Sequence, residues 1–515
     1  MQVLHLNGHD LTLEALREVV YERRPVLLSP DARADVERAR ALVDQIVAQD
    51  KVAYAVTTGV GKLSDVHISP EQNRELQVNL LRSHAVGVGE PLSEEEVRVM
   101  MLSRANSLAK GCSGVRPMII DTLCEMLVRG VHPVVPSQGS VGASGDLAPL
   151  AHLALVLIGE GEATYRDKRM PGGDAMKAAG IAPLVLEAKE AISLINGTQA
   201  MIAVGSLVLL AAEILADSAD VIGALSLDAL LGTDAAFDER IHQARPHPGQ
   251  MKTAANLRRL LAGSGIRQSH RGCSRVQDAY SLRCMPQVHG AVRDALACAR
   301  QVFEIELNSA VDNPLVFVPK RQPGEKTGGS VEGDILSGGN FHGEPLAFAL
   351  DFLAIALCSL AGISERRIER LVNPALSEGL PPFLAAGAGL NSGFMMAQVT
   401  AAALASENKV LAHPASVDSI TTSGNKEDYV SMGMTAANKL KRVVQNATHV
   451  LAIEAMAAAQ ALDFRAPLQT SPALQQAHAA VRAVSPVVDH DRVLAPDFAR
   501  IADLIRAGGI ASALE

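Results

Sequence analysis

The sequence has 515 residues, a formal net charge of -9, an aromatic content of only 3% and no tryptophan. A chain of this length builds more than one compact region, and its acidic balance excludes the basic footprint of a nucleic-acid-binding protein. Abundant alanine with few aromatic residues favours closely packed helices over sheets.

Cysteine usage and the chain start bear on the compartment. The six cysteines at 112, 124, 273, 284, 298 and 358 form no CxxC pair, so neither a disulfide framework nor a metal site is expected. The N-terminus lacks a basic start followed by an apolar core, which predicts a cytoplasmic protein. Two apolar runs, 200–212 and 347–363, fall short of the ~20 residues of a membrane span and predict buried core helices.

Apolar residues at helical spacing predict short amphipathic helices early in the chain, at 13–23, 31–49, 71–85, 93–108 and 117–129. After residue 200 the predicted helices lengthen and several are apolar nearly all round, at 200–216, 286–308, 345–371, 394–411 and 435–462. We therefore predict a domain of short helices and loops over 1–200 and a long-helix bundle with C-terminal helices over 201–515.

One stretch interrupts this pattern, GSVGASGDLAPLAH at 139–152. Its small residues disfavour regular structure, and the ordinary interpretation is a tight turn before a helix with Asp146 as the N-cap. A chemical interpretation also exists. In a sharply bent turn the Gly145 amide nitrogen can attack the Ala143 carbonyl carbon. Loss of two waters, one carrying the Ser144 hydroxyl, then leaves an electrophilic ring.

Other polar segments are ordinary when taken alone. The segment RVQDAYSLRCMPQVHG contains Gln277, Tyr280 and Arg283 at successive intervals of three residues. On one helical turn these residues would share a face. That spacing by itself is typical of a polar helix end. The segment TTGVGKL after Tyr54 indicates a loop and does not meet the GxxxxGK[ST] phosphate-binding pattern, which disfavours a nucleotide-binding protein.

The string at 139–152 resembles the signature of the aromatic amino-acid ammonia-lyases, which carry a methylidene-imidazolone group. The resemblance covers nearly the whole chain, including RVQDAYSLRCMPQVHG and LVNPALSEGLPPF. It implies a mostly α fold, in which an N-terminal helical and loop domain carries the modified serine and a long central bundle of the fumarase and aspartase type follows. It also implies that Ala143, Ser144 and Gly145 form the group autocatalytically, without an external cofactor or a metal.

The same resemblance assigns site residues. Elimination of ammonia needs a base for the β-proton and a clamp for the carboxylate, which a planar guanidinium matches well. The resemblance gives the clamp to Arg283, with Gln277 and Tyr280 lining the site, and makes Tyr54 the candidate base, although either tyrosine can fill a catalytic role. It places Asn196, in INGTQAM, beside the electrophile and Phe341, in SGGNFHGEPLAFALD, in an aromatic wall.

Two further positions indicate the substrate. The Ser83-His84 pair and Glu427 match the histidine branch of the family, and a carboxylate can accept a hydrogen bond from an imidazole but not from a phenyl ring. The resemblance thus implies conversion of the small-molecule substrate L-histidine to urocanate. It also implies a homotetramer with shared active sites and no membrane or nucleic-acid partner.

Three alternatives stay open at this stage. A phenylalanine or tyrosine ammonia-lyase, or an aminomutase, would use the same electrophile, and a lyase of the fumarase kind would need no modified serine.

Departures from the family pattern bear on substrate preference and pH optimum. They are Ala55 in place of glycine, Thr57 in place of asparagine, Val60 in place of an aromatic residue and Lys426 in place of glutamine.

Overall fold

Helices form most of the structure, as the alanine-rich composition predicts. The computed structural model describes residues 2–319 and 331–514. Within these residues the strands are three or four residues long and pair into sheets of two or three strands. The mostly α fold class is confirmed.

The described chain divides into two compact units, each assembled from separate segments. The first unit comprises residues 1–207, 301–350 and 415–438, and the second comprises 208–300, 351–414 and 439–515. Four of the five boundaries between the units fall inside the four longest described helices, and the fifth, between residues 414 and 415, follows Met395–Leu411. The four helices are Gln199–Ala229, Met285–Leu307, Glu344–Val372 and Gly433–Asp463. The predicted domain boundary after residue 200 stays a prediction.

Short helices build much of the first unit, and capping residues set where they begin. Glu94–Ala109 follows Ser93, whose Oγ accepts from the Glu96 amide at 3.3 Å while Glu96 Oε2 accepts from the Ser93 amide at 2.8 Å. This reciprocal capping box satisfies two amide groups that a helix start leaves unpaired. The other helices wholly inside this unit are Leu13–Tyr21, Pro30–Ala48, Asn73–His84, Pro117–Arg129, Leu147–Leu157, Gly172–Ala178 and Glu190–Ile195.

Four small sheets belong to the same unit. Leu4–Leu6 pairs in parallel with Val26–Leu28, with Leu4 opposite Val26. The remaining pairs are antiparallel and join Val88–Pro91 to Pro136–Gln138, Glu162–Tyr165 to both Val131–Pro133 and Lys168–Pro171, and Leu315–Phe317 to Asp334–Leu336.

The second unit contains helices of four to seventeen residues beside its parts of the four long ones. They are Glu239–Gln243, Pro248–Leu261, Gly265–Ser269, the four-residue Tyr280–Arg283, Met395–Leu411, Pro472–Val484 and Ala495–Arg506.

Two long helices, Gln199–Ala229 and Glu344–Val372, are long and apolar enough to cross a membrane. They extend beyond the apolar runs seen in the sequence, so the prediction that both fall short of spanning length was wrong. Their most apolar windows are 72% and 67% buried inside the protein, which is the burial expected of core helices. The buried Asp351 in the second helix is paired with Lys439 Nζ at 3.1 Å.

Candidate active site

The turn at 139–146 depends on glycine at two close approaches. Gly142 and Gly145 have φ angles of +70° and +69°, in the left-handed region that disfavours side chains. A Cβ on Gly142 would lie 2.2 Å from Ser431 Oγ, and a Cβ on Gly145 would lie 2.2 Å from the Gly197 carbonyl oxygen. Both distances are far below van der Waals contact, so only glycine allows this packing.

Gly145 pairs with Gly197 in a parallel bridge, in which the Asp146 amide donates to the Gly197 carbonyl at 2.7 Å. The Gly145 amide donates no hydrogen bond to any described residue. The Gly145 nitrogen, which is the nucleophile in the predicted cyclisation, therefore takes no part in the hydrogen bonding between these two backbone segments.

Segments distant in the sequence also hold the turn. The Met432 amide donates to the Val141 carbonyl at 2.8 Å, and the Gly142 carbonyl accepts from the Gly343 amide and from Ser431 Oγ, each at 3.0 Å. The turn is consequently fixed by three parts of the first unit at once.

Asp146 stands at the N-cap position of Leu147–Leu157, but its side chain makes no capping bond to that helix. The predicted cap is wrong in this respect. Asp146 Oδ2 instead accepts from the Ala200 and Met201 amides, each at 2.9 Å, in the first turn of Gln199–Ala229, and Oδ1 accepts from Ser140 Oγ at 2.8 Å. Complete burial nevertheless raises the pKa of Asp146 to about 6, because these donors only partly offset the loss of solvation.

Asn196 and Glu427 contact Ser144 from different sides. Asn196 Nδ2 donates to the Ser144 carbonyl at 2.8 Å, and Ser144 Oγ donates to Glu427 Oε1 at 2.5 Å. Glu427 Oε2 also accepts from Thr422 Oγ1 at 2.5 Å and from Ser423 Oγ at 2.9 Å. Burial would raise the pKa of Glu427, but hydrogen bonds from the three hydroxyl groups outweigh it and lower the pKa.

Ser144 lies at the edge of a cavity of about 680 Å³ that belongs wholly to the first unit. The cavity gathers most of the residues that the sequence singled out: Tyr54, His84, Ala143, Ser144, Asn196, Phe341 and Glu427. Because these residues are widely separated in the chain, their convergence supports one shared site.

His84 presents a defined tautomer to this cavity. Its Nδ1 lies 2.8 Å from the Leu80 carbonyl oxygen, which can only accept, so Nδ1 carries the proton and Nε2 remains an acceptor. Burial lowers the pKa of His84 and outweighs the opposing influence of the Leu80 carbonyl and of Glu427. The ring is therefore neutral at neutral pH.

Tyr54 Oη accepts from the Gly61 amide at 3.2 Å. Two short 3₁₀ segments, Gly61–Leu63 and Ser423–Asn425, lie near each other at the cavity, and Lys62 and Lys426 are among its lining residues. The predicted base thus has a backbone donor and lies on the same cavity as two ammonium groups.

Three predicted residues lie elsewhere, in the second unit. Gln277, Tyr280 and Arg283 are not among the residues that line the cavity. Arg283 Cζ lies 4.7 Å from the centre of the Tyr280 ring, so the shared face predicted for that pair is confirmed. Gln277 precedes the helix, which begins at Tyr280, and the single helical turn predicted for all three is wrong.

The departures from the family pattern have different surroundings. Ala55 has a φ of +55° and is buried, which explains why glycine is usual at this position. Thr57 Oγ1 donates to the Lys51 carbonyl at 2.7 Å and accepts from the Ala53 amide at 2.9 Å, so its hydroxyl stabilises its own turn. Val60 and Lys426 line the cavity, but no ion pair joins Lys426 to Glu427 among the described residues.

Sequence reasoning missed the hydroxyl groups that support the site, which are Ser140, Thr422, Ser423 and Ser431. The run TTSGN just before Glu427 was a usable signal, because adjacent hydroxyl groups can donate to a nearby carboxylate. No cluster of three potential metal ligands occurs in the ranges 2–319 and 331–514.

The protein is mostly helical, and a glycine-rich turn places Ser144 against the carboxylate of Glu427. This combination of fold and site is typical of one class of helical enzymes. The family model described as "Aromatic amino acid lyase" matches residues 11–483. A histidine ammonia-lyase of Koribacter versatilis (strain Ellin345) is 73% identical over 513 residues, covering 100% of this chain and 99% of that protein. The chain belongs to the aromatic amino acid lyase family.

Solved structures agree with this assignment. Histidine ammonia-lyase from Trypanosoma cruzi gives a TM-score of 0.89 at 43% identity, covering 100% of this chain and 95% of that chain. A tyrosine aminomutase from Streptomyces globisporus gives a TM-score of 0.91 at 40% identity, covering 99% and 98%. A histidine ammonia-lyase and a tyrosine aminomutase therefore share this fold.

Proposed function

We propose that the protein eliminates ammonia from L-histidine and releases trans-urocanate. The observation that carries the proposal is the bond from Ser144 Oγ to Glu427 Oε1, 2.5 Å long, in a cavity that His84 also lines. The turn offers a precursor for an electrophile, while a carboxylate and an imidazole match the nitrogens of a histidine ring. Identity of 73% to a histidine ammonia-lyase supports the same activity.

The surroundings of Ser144 fit a methylidene-imidazolone group formed autocatalytically from Ala143, Ser144 and Gly145. The Gly145 nitrogen is free of backbone pairing among the described residues, and Asn196 Oδ1 is buried there without a hydrogen-bond partner. Such an orphaned acceptor is costly unless a donor meets it. The cyclised ring carries no N–H, so the donor that fits is the ammonium group of a substrate held beside it. When present, the group supplies an electrophilic carbon that bonds the substrate amine and makes it a leaving group.

Ring closure forms one carbon–nitrogen bond and releases two waters. A bond forms between the Gly145 nitrogen and the Ala143 carbonyl carbon, and the Ala143 oxygen leaves as water with the amide protons of Ser144 and Gly145. The second water takes the Ser144 hydroxyl and the Ser144 Cα proton. The proposal needs no metal and no external cofactor.

The side chains of the cavity then divide the remaining tasks. Neutral His84 accepts a hydrogen bond at Nε2 from a ring N–H of the substrate, and Glu427 provides a carboxylate oxygen as a second acceptor in the cavity. We assign Tyr54 as the base that takes the β-proton and Phe341 as the apolar wall beside the ring. Asn196 keeps the Ser144 carbonyl in place.

We assign the substrate carboxylate to Arg283, accompanied by Gln277 and Tyr280, of another copy of the chain in a homotetramer. Tyr280 is 71% exposed, which is unusual for a catalytic tyrosine. Several large apolar side chains of the second unit are exposed as well, as expected of a surface that another subunit covers; they are Phe352, Ile355, Met396 and Val399.

All six cysteines are free, which supports a cytoplasmic location.

The direct test combines intact mass with product formation. The purified protein should be two waters lighter than its sequence and should convert L-histidine to urocanate, and Ser144→Ala should restore the full mass and abolish turnover. An active protein of full mass would overturn the proposed electrophile. Comparable turnover of L-phenylalanine or L-tyrosine, or recovery of a β-amino acid, would favour the other lyases or an aminomutase.

Shared sites are tested by mixing two inactive variants. Ser144→Ala and Arg283→Met should each be inactive, but tetramers reassembled from both contain some sites with neither change and should regain activity. Sites built within one subunit would give no recovery. Light scattering on the wild type should give four chains per particle.

A further inference from the structure

A buried arginine lies behind the turn that carries Ser144. Arg104 is 0% exposed, on the helix Glu94–Ala109. Its Nη1 donates to the Ser193 carbonyl at 2.9 Å, and its Nη2 donates to the Asn196 carbonyl at 2.8 Å and to Gln199 Oε1. These acceptors lie at the end of one helix, Glu190–Ile195, and the start of the next, Gln199–Ala229.

The acceptors belong to a junction, residues 196–198, that contacts the serine turn. Asn196 Nδ2 donates to the Ser144 carbonyl, and the Gly197 carbonyl accepts from the Asp146 amide. A Cβ on Gly197 would lie 2.0 Å from Arg104 Nη2, so the guanidinium packs directly against the junction backbone. Arg104 therefore contacts the junction directly, and it also interacts electrostatically with the buried Asp146 carboxylate of the turn.

The charge and position of Arg104 suit this task. The last carbonyl groups of a helix carry partial negative charge and lack intrahelical partners. A guanidinium can donate to several of them in one plane, which a lysine ammonium cannot. Without Arg104, three buried acceptors would lose a donor, and the junction that holds Ser144 would be free to shift.

We propose that Arg104 is a positioning residue for the backbone cyclisation at Ser144, acting through the junction at 196–198. This inference rests on the proposed function, since it concerns the formation of the same electrophile. Cyclisation requires the Gly145 nitrogen to approach the Ala143 carbonyl carbon, and small misplacements of reacting atoms slow such steps severely. Arg104 is not one of the proposed substrate-binding residues, and it does not line the cavity.

The same helix provides a matched control. Arg98 is 2% exposed, and it donates to the Val19 and Leu127 carbonyls at 2.6 and 3.0 Å. Like Arg104, it has a buried Nε without a partner among the described residues. Burial lowers the pKa of both arginines to about 10, so both remain charged at neutral pH. Unlike Arg104, Arg98 makes no hydrogen bond to residues 196–198 in the described part of the chain.

The experiment follows the loss of two waters by intact mass after synthesis of the full-length chain, alongside thermal unfolding. Arg104→Met should slow cyclisation by about 10- to 100-fold, and Arg104→Lys should recover part of the rate. Arg98→Met should lose a similar amount of thermal stability yet cyclise at the wild-type rate. Once cyclised, Arg104→Met should bind substrate with a nearly unchanged KM.

Equal cyclisation rates in wild type and Arg104→Met would overturn the inference, as would equal slowing in Arg98→Met and Arg104→Met. If Arg104→Met does not fold, Arg104→Lys and Gln199→Met decide, and wild-type rates in both would refute it. A wild-type protein that never loses two waters would instead refute the proposed function, which is a separate outcome.

Discussion

The cavity has two contrasting walls. The turn wall, formed by residues 139–146 with the junction at 196–198, is mostly buried and cross-linked by backbone hydrogen bonds from three segments. The loop wall, formed by residues 54–64 and 422–428, is more exposed, and its hydrogen bonds include local ones from the Gly61 amide to Tyr54 Oη and from the Thr422 and Ser423 hydroxyl groups to Glu427. The serine turn is thus tied to distant segments of the first unit, whereas the loop wall that faces the cavity is more exposed.

The largest effect is expected from one glycine on each wall. Gly145→Ala places a Cβ 2.2 Å from the Gly197 carbonyl oxygen, so it should prevent cyclisation and abolish turnover. Gly61→Ala is the control, since Gly61 also has a positive φ, +58°, but a Cβ there meets nothing within 4 Å. It should cost about 1 kcal/mol of stability and leave cyclisation complete. Intact mass distinguishes the walls, and full cyclisation of Gly145→Ala would contradict the contrast.

Glu427 lies on the loop wall and should affect substrate choice. Glu427→Gln keeps the size of the side chain but removes the carboxylate charge that would accept a hydrogen bond from the ring of a bound histidine. We expect kcat/KM for L-histidine to fall by about 100-fold, corresponding to roughly 3 kcal/mol for an impaired charged hydrogen bond. Any residual reaction on L-phenylalanine should change far less. Equal losses on both substrates would assign Glu427 to the common chemistry or to the fold.

The two carboxylates near Ser144 should respond oppositely to pH. Burial raises the pKa of Asp146 to about 6, so the stability it contributes is present below about pH 4 and is lost as the pH rises through 6. Relative to wild type, Asp146→Asn should gain up to about 3 kcal/mol between pH 4 and 7. The lowered pKa of Glu427 has the reverse consequence, because its contribution is present above about pH 4.3 and is lost on acidification.

Denaturant midpoints measured from about pH 2 to 7 check both signs, because the contribution of Glu427 is lost only below about pH 4.3. The stability difference between Asp146→Asn and wild type should rise with pH, whereas the deficit of Glu427→Gln should shrink as the pH falls. A pH-independent difference for Asp146→Asn would show that Asp146 is not the group that titrates.

The smallest effect is expected at Ala55. Ala55→Gly relieves a left-handed backbone conformation but gives the unfolded chain more freedom, and each term is about 1 kcal/mol. Stability should therefore change by less than about 1 kcal/mol, with the KM for L-histidine unchanged within a factor of about two. Thermal unfolding and initial rates measure this. A large rise in KM would show that the strain at Ala55 shapes the loop wall.

Much of the fold could be predicted from the sequence, because apolar spacing and capping residues are local signals. The helices Pro117–Arg129 and Met285–Leu307 lie within one residue of the predicted bounds. Gln199–Ala229 is longer than the predicted 200–216 because it continues through Asp217 and Asp220, whose charges conceal its length in the sequence. Asp146 misled because its carboxylate bonds to a helix more than fifty residues away.

The site was less predictable than the fold. Family resemblance located Tyr54, His84, Asn196 and Glu427, and the cavity brings these four together. The support given by Arg104 and by Ser423 depends on tertiary distances that no local pattern encodes. The surroundings of Arg283 remain a proposal, since they depend on assembly.

The contacts of the turn also set the order of events during synthesis. The turn is held by residues 197–201, by Gly343 and by Ser431 and Met432, so most of the 515-residue chain must leave the ribosome before these contacts exist. Under the proposed function, the reactive group would thus arise late, when the chain is nearly complete. A nascent chain stalled before residue 431 would carry an ordinary serine, and the cell would be spared an electrophile on unfinished protein.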